Sequence, residues 1–463
     1  MSGGDGAIDR ALERMVGYHR GRFEKAEGKR DPKRRRVGLE LKFPIVTAEG
    51  EAAPWEIIDT FWGIIEEDGW DLKGERLSEQ VREARGGDPD RPDLIQTTTG
   101  RCVLEFSVGH EGNLAAMDRH LARLREYALE LREQTGAVFL CLGTHPVTLP
   151  SPDLMAKKSR HMFWDDVAPP READPRVRAD VSLFTTIADN QVHLDIDLEN
   201  ATTAVNVLNA LAPVQLALTA GSKVWDGEID DDHWAVREVY WDWWLGEQAR
   251  YGIPARRFTD FADYCRAIGE LRPVYADREG VPYSLAQYAS FLHYLSDERP
   301  SGRTVEGDQF DLNPTDADID LHDRAFWWNA RLSRYCTIES RVSCQQPPDA
   351  LLAPAAFVMG IVEELETADN LTRDLPWDTV KDLRSSAIRE GLGAFAAGTE
   401  HAGLPARVLD LAEAGLRRRA LGEEEYLEPL KRRLETGRVP ADDSAEVFAE
   451  DGVRGLIDQY AWA

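Results

Sequence analysis

Four short segments alternate apolar and polar residues, and their polar positions hold acids, an arginine, a glutamine and a histidine. In GLELKF, Glu40 and Lys42 oppose Leu39, Leu41 and Phe43. In RCVLEFSV, Arg101, Glu105 and Ser107 oppose Cys102, Leu104, Phe106 and Val108. In QVHLDIDL, Gln191, His193, Asp195 and Asp197 oppose Val192, Leu194, Ile196 and Leu198. In YCTIESRVS, Tyr335, Thr337, Glu339 and Arg341 oppose Cys336, Ile338 and Val342. Period-two alternation is the mark of a strand with distinct faces. Carboxylates held on a rigid strand suit Mg²⁺, which takes oxygen ligands and shares them with phosphates. An arginine beside an acid, as in Glu339–Ser340–Arg341, suits phosphoryl transfer, where developing charge must be neutralised. Any sheet with one face on a core and the other in water gives the same alternation. The pattern alone therefore names no reaction.

The elements that must position these residues can be read coarsely. Residues 7–28 read as a helix, and the basic run GKRDPKRRR that follows, ending at Arg36, reads as a solvated linker. Residues 54–66 and 113–135 read as helices, the second with Leu114, Met117, Leu121, Leu124, Tyr127 and Leu131 on one side. GAVFLCLGTHP reads as an apolar strand ending in a turn, and the proline-bearing stretch 155–180 as a long loop. ATTAVNVLNALAPVQLALTA reads as one or two buried helices broken near Pro213, and residues 299–320 as a mobile acidic loop. From Pro347 onward the pattern is almost wholly helical. The divisions expected are 1–32 as N-terminal helix and linker, 33–346 as a catalytic α+β domain, and 347–463 as a helical region packing on it.

Composition narrows the function. The 463 residues are 43% hydrophobic and 30% charged, ordinary for a globular chain with a large core. A net charge of -28 repels nucleic-acid phosphates and anionic lipid, so neither nucleic acid nor membrane is the expected partner. Five scattered cysteines without a CxxC pair favour neither a disulfide framework nor a structural zinc site; Cys102, Cys141 and Cys336 read as small buried hydrophobes. No apolar run approaching ~20 residues and no basic-then-apolar leader is evident, which favours a cytoplasmic protein. Neither a GxxxxGK[ST] loop nor a GxGxxG in strand–turn–helix context occurs. Asp316, Asp318 and Asp320 lack the glycine and glutamate of a calcium loop and read as solvated acids. His145 reads as a turn residue, His110 and His322 as bystanders, and the tryptophans at 241, 243, 244, 327 and 328 as packing.

The order of these segments resembles the glutamate–cysteine ligase superfamily, especially its plant and proteobacterial branch. GLELKF stands where that family has its first acidic strand, TTTGRCVLEFSVGH resembles the second, and GAVFLCLGTHP follows as expected. KKSRHMFW, the stretch from TTIADNQVHLDIDLEN to GSKVWDG, HDRAFWWNARLSRYCTIESRVSC and LAEAGLRRRALGEEEYLEPLKRRLETGRVPADD continue the resemblance over residues 33–463. It implies an α+β fold with a curved, mostly antiparallel, glutamine-synthetase-like sheet forming a funnel, backed by helices, with a helical C-terminal region. It implies an ATP- and Mg²⁺-dependent ligase of glutathione biosynthesis, joining glutamate to cysteine through an acyl phosphate. By matching position, Glu40, Glu105 and Glu339 become metal ligands, and Gln191 and His193 stand at the nucleotide–metal site. Arg341 would contact the transferring phosphate, and Arg160 and Arg331 would take carboxylates or phosphates.

One position departs from the family, whose first strand usually carries Glu-x-Glu; here it is Glu40–Leu41–Lys42. A cation replaces an anionic ligand. Either a metal site is lost, or the Lys42 ammonium stands in for a metal ion, or Lys42 grips a phosphate or a different acid substrate as part of the catalytic set. Two alternatives to a glutamate–cysteine ligase therefore stay open: an amide ligase of a specialised pathway using another acid or amine, and a binding protein that keeps the fold without the catalysis.

Overall fold

The computed structural model describes residues 2–30, 34–74, 80–156, 158, 161–246 and 249–462. Alternation sets its framework. The strands are β1 (Val37–Val46), β2 (Asp71–Gly74), β3 (Val81–Gly86), β4 (Asp93–Thr97), β5 (Val103–Glu111), β6 (Val138–Phe139), β7 (Asn190–Asp195), β8 (Ala330–Leu332) and β9 (Thr337–Ser340). They form one nine-stranded sheet in the order β8-β9-β7-β1-β5-β4-β3-β2, with β6 pairing the end of β1. Every pairing in it is antiparallel. The four alternating segments are neighbours, β9-β7-β1-β5, so their polar faces make one continuous surface.

The helices that matter below are α1 (Ser2–Glu27), α2 (Trp55–Glu67), α3 (Leu114–Thr135), α4 (Leu198–Thr219), α5 (Val236–Leu245), α6 (Asp316–His322), α7 (Ala353–Glu363), α8 (Trp377–Glu390), α9 (Leu404–Arg419) and α10 (Pro440–Tyr460). The apolar strand faces and helices α2, α3, α4 and α7 share one core. At its centre Phe43 stacks on Trp462 with ring centroids 4.5 Å apart, and Phe106 and Phe139 meet Phe43 edge-on. Each such buried ring contributes roughly 1.5–3 kcal/mol. Asp197 caps α4 by accepting from the Asn200 N–H at 2.9 Å. Where α7 and α9 cross, a Cβ on Gly360 would meet the Ala412 backbone oxygen at 2.0 Å, so only glycine permits that approach.

Several sequence expectations are corrected by packing. α4 runs unbroken through Pro213, because every residue from Ala204 to Thr219 is buried and that packing outweighs the lost hydrogen bond. By length and composition α4 could cross a bilayer, contrary to the sequence reading; 89% of its apolar window lies inside the core. In GAVFLCLGTHP the strand is only two residues long, and the rest is tied to the chain's end by Cys141 N–H donating to Tyr460 and Trp462 N–H donating to Phe139.

Residues 299–320 are not a loop. They hold strands Ser301–Arg303 and Gln309–Asp311 and then α6, whose Asp318 is fully buried in a bidentate pair with Arg278 at 2.6 and 2.8 Å. The basic run is not solvated either, in the part described. Arg30 and Arg36 pair with Asp195 at 2.9 and 2.6 Å, and Arg35 with Glu363 at 3.1 Å. All five cysteines are free and buried.

Candidate functional site

Register brings the polar residues together. Glu40 lies opposite Gln191, Lys42 opposite Glu105, Glu339 opposite His193, and Arg331 opposite Glu339. Because these pairs fall on one face of adjacent antiparallel strands, their side chains meet.

One sector centres on Glu339. Its carboxylate receives Arg331 at 3.0 Å and also the Arg341 guanidinium. Burial would raise the Glu339 pKa, but Arg331 and Arg341 outweigh it and hold the carboxyl well below the usual range. Arg341 also donates to the Gln191 side-chain oxygen at 2.5 Å. Its own pKa, which burial would lower, is raised by Glu339, Asp189 and Glu40. Across from Glu339, His193 Nε2 is 3.4 Å from Glu40, while Nδ1 contacts the Thr337 hydroxyl at 3.0 Å. Apart from that Glu40 contact, the buried Nε2 has no hydrogen-bond partner among the described residues. Ligand atoms of Glu40, His193 and Glu339 lie within 4.8 Å of one another. Burial pushes His193 down, but the facing Glu40 and Glu339 carboxylates overcome it and raise its pKa.

A second sector lies beside the first. Lys42 Nζ donates to both oxygens of Asp189, at 2.9 and 3.0 Å, and stands 3.6 Å from Glu105. Glu105 also accepts from Gln96 at 2.6 Å and Ser107 at 3.2 Å. Asp189 further accepts from Gln191 at 2.8 Å and Arg237 at 3.3 Å. Arg237 continues into Glu238 at 2.7 Å, and Glu238 into Arg384 of α8 at 2.6 Å. A chain of alternating charges thus runs from the polar face into the helices.

The structure therefore gathers Glu40, Gln191, His193, Arg331, Glu339 and Arg341, with Lys42 and Glu105 alongside. Glu105 stands apart from the Glu40–His193–Glu339 group, engaged by Lys42. Arg160 lies outside the described residues. Asp189 escaped sequence reasoning, although it precedes Gln191 by two and so shares its face. Arg237, Glu238 and Arg384 left no sequence signal, because they sit in helices distant along the chain. His145 does hold a turn, its Nδ1 accepting from the Thr148 N–H at 3.0 Å. The tryptophans pack together, Trp241 lying 4.9 Å from Trp327 and 6.3 Å from Trp244.

Comparison with known proteins shows the fold and the family. A putative glutamate–cysteine ligase 2-3 from Rhodococcus jostii (strain RHA1) is 28% identical over 204 residues, 43% of this chain. The match spans only 23% of that relative's length. A glutamate–cysteine ligase from Francisella tularensis, solved in complex with AMP, superposes with a TM-score of 0.54 at 12% identity, over 92% of this chain and 87% of that one. That is likeness of fold. A bifunctional glutathione synthetase from Pasteurella multocida covers 92% of this chain and 50% of its own at 12% identity, with a TM-score of 0.43, too distant to argue from. The model of glutamate-cysteine ligase family 2 matches residues 36–459, nearly the whole chain, and the chain belongs to that family.

Proposed function

We propose that this chain is an ATP-dependent carboxylate–amine ligase that joins glutamate to cysteine as a γ-glutamyl amide. The observation that carries the reading is the buried Glu339 held between Arg331 and Arg341, with His193 Nε2 and Glu40, 3.4 Å apart, gathered within ligand distance of it.

The residues fit a divalent cation. An imidazole nitrogen and two carboxylates with ligand atoms within 4.8 Å of one another form a donor set suited to such an ion, and the Thr337 hydroxyl on Nδ1 fixes the ring. Glu40, His193 and Glu339 would hold the ion, with phosphate oxygens and water completing its shell. When bound, Mg²⁺ would neutralise the charge on the nucleotide phosphates. Arg341, fixed by Gln191 and Glu339, would face the transferring phosphoryl group, and Arg331 would hold Glu339 ionised. Gln191 would orient the nucleotide end. The γ-carboxylate of glutamate takes the γ-phosphoryl group of ATP, giving an acyl phosphate and ADP. The amine of cysteine attacks the acyl carbon, an amide forms, and phosphate and a proton leave. AMP in the Francisella tularensis ligase is in keeping with a nucleotide on this fold.

The test is ADP formation by the whole chain at millimolar Mg²⁺, screened over acids and amines. Release that requires glutamate and cysteine together is the expected result. Release only with another acid or amine moves the substrate assignment. No release and no nucleotide binding with any pair would overturn the ligase reading.

A further inference from the structure

The second sector of the polar face asks what a lysine does among acids beside a metal-capable group. Lys42, Asp189 and Glu105 are nearly closed to solvent, their side chains 12%, 4% and 12% exposed. Buried carboxylates need a compensating cation, and removing one partner from such a pair strands a charge. The ammonium meets that need directly. It has three N–H donors; two point at the Asp189 oxygens, and Glu105 lies nearest for the third. A phosphate grip needs free donors, and here two are given to Asp189 while Glu105 stands 3.6 Å from the same nitrogen. The strand is also held in place: Lys42 N–H donates to the Asp189 carbonyl at 2.9 Å, and Gln345 donates to the Lys42 carbonyl at 2.8 Å. Burial would raise the Asp189 pKa, yet Lys42, Arg237 and Arg341 keep it lowered, so the acid stays ionised against its cations.

We propose that the Lys42 ammonium, clamped by Asp189 and Glu105, is a built-in cation that fills the place a divalent ion would otherwise occupy. The protein itself then holds a single divalent ion, at Glu40–His193–Glu339. Asp189 is the positioning residue that turns Lys42 away from substrate and onto the floor of the site. The contrast between the sectors supports this. Among the described residues His193 Nε2 meets Glu40 at 3.4 Å without a well-formed hydrogen bond, whereas Asp189 accepts from Lys42, Arg237 and Gln191, and Glu105 from Gln96 and Ser107. A divalent ion at the second sector would have to displace an ammonium that cannot diffuse away.

This inference rests on the metal–nucleotide reading of the face, and the experiment separates the two. Mn²⁺ bound per full-length chain is counted without nucleotide by loss of the free-ion electron paramagnetic resonance signal. The counts are made for wild type, Lys42→Met, Lys42→Glu and Glu339→Gln, with folding checked by circular dichroism. One ion on wild type, lost in Glu339→Gln, and a second ion on folded Lys42→Glu and Lys42→Met is the expected result. Two ions on wild type overturns the inference even if neither Lys42 variant folds. One ion on folded variants also overturns it. No ion on wild type, with Glu339→Gln unchanged, instead overturns the metal reading beneath it.

Discussion

The Glu40–His193–Glu339 sector and the Lys42–Asp189–Glu105 sector share strand β1 and lie side by side, with Asp189 just before β7, yet they are in opposite states. In the first, Glu339 has two arginines while the nearby His193 Nε2 meets Glu40 at 3.4 Å without a well-formed hydrogen bond among the described residues. In the second, an ammonium supplied by the chain closes on two acids. Position on the face is the same, and the difference comes from one side chain, Lys42. Polar strand faces therefore become a site only where tertiary partners leave a donor set incomplete.

Buried histidines show the same contrast. His193, flanked by Glu40 and Glu339, has a raised pKa, whereas burial takes His145 down to about 3 and burial with the nearby Arg250 charge does the same to His322. His322 still has a partner, its Nε2–H donating to the Ile268 carbonyl at 2.9 Å. What separates these groups is the company of carboxylates, since all three are buried.

The comparison can be broken most severely at Glu339. Glu339→Gln removes the anion between Arg331 and Arg341 and one ligand of the first sector. It is expected to lower ADP formation by on the order of 10³-fold and folding stability by about 3–5 kcal/mol. Steady-state ADP release and urea midpoints measure both, and a variant with near wild-type turnover would show that this sector is not the site.

Asp189→Asn attacks the closed sector. It leaves Lys42 and Arg237 short of their shared acid, with an expected stability loss of about 3 kcal/mol. Urea unfolding decides; a change within about 0.5 kcal/mol would mean the ammonium is not held as described. His193→Asn sharpens the first sector, with Mn²⁺ affinity expected to fall about 10-fold in titrations while the urea midpoint moves little.

A test of a different kind is pH. His145 and His322 have lowered folded pKa values, so the unfolded chain takes up their protons first. Stability is then lost as pH falls from about 6.5 toward 3, by up to about 1.4 kcal/mol per pH unit for each histidine. His193 has the opposite sign: its contribution is complete below its unfolded value and is lost as pH rises through the folded one. Urea midpoints between pH 8 and 4 read both limbs, and His322→Gln is expected to flatten the acid one.

Period-two alternation made strands β1, β5, β7 and β9 legible, with the faces carrying Glu40, Glu105, His193, Glu339 and Arg341, because strand geometry is local. The order of motifs along the chain carried the family resemblance. Asp189 was legible in principle and missed, since nothing local separates an acid that clamps a lysine from one that faces water. Arg237, Glu238 and Arg384 could not be read, because only helix packing brings α5 and α8 up to Asp189. The acids of α6 and the basic residues Arg30, Arg35 and Arg36 looked solvated and are paired. A residue's charge is written in the sequence, but its partner is set by how distant segments fold together. By itself the chain determined which residues share a strand face; tertiary structure decided which donors were satisfied, because a donor's partner lies on another element.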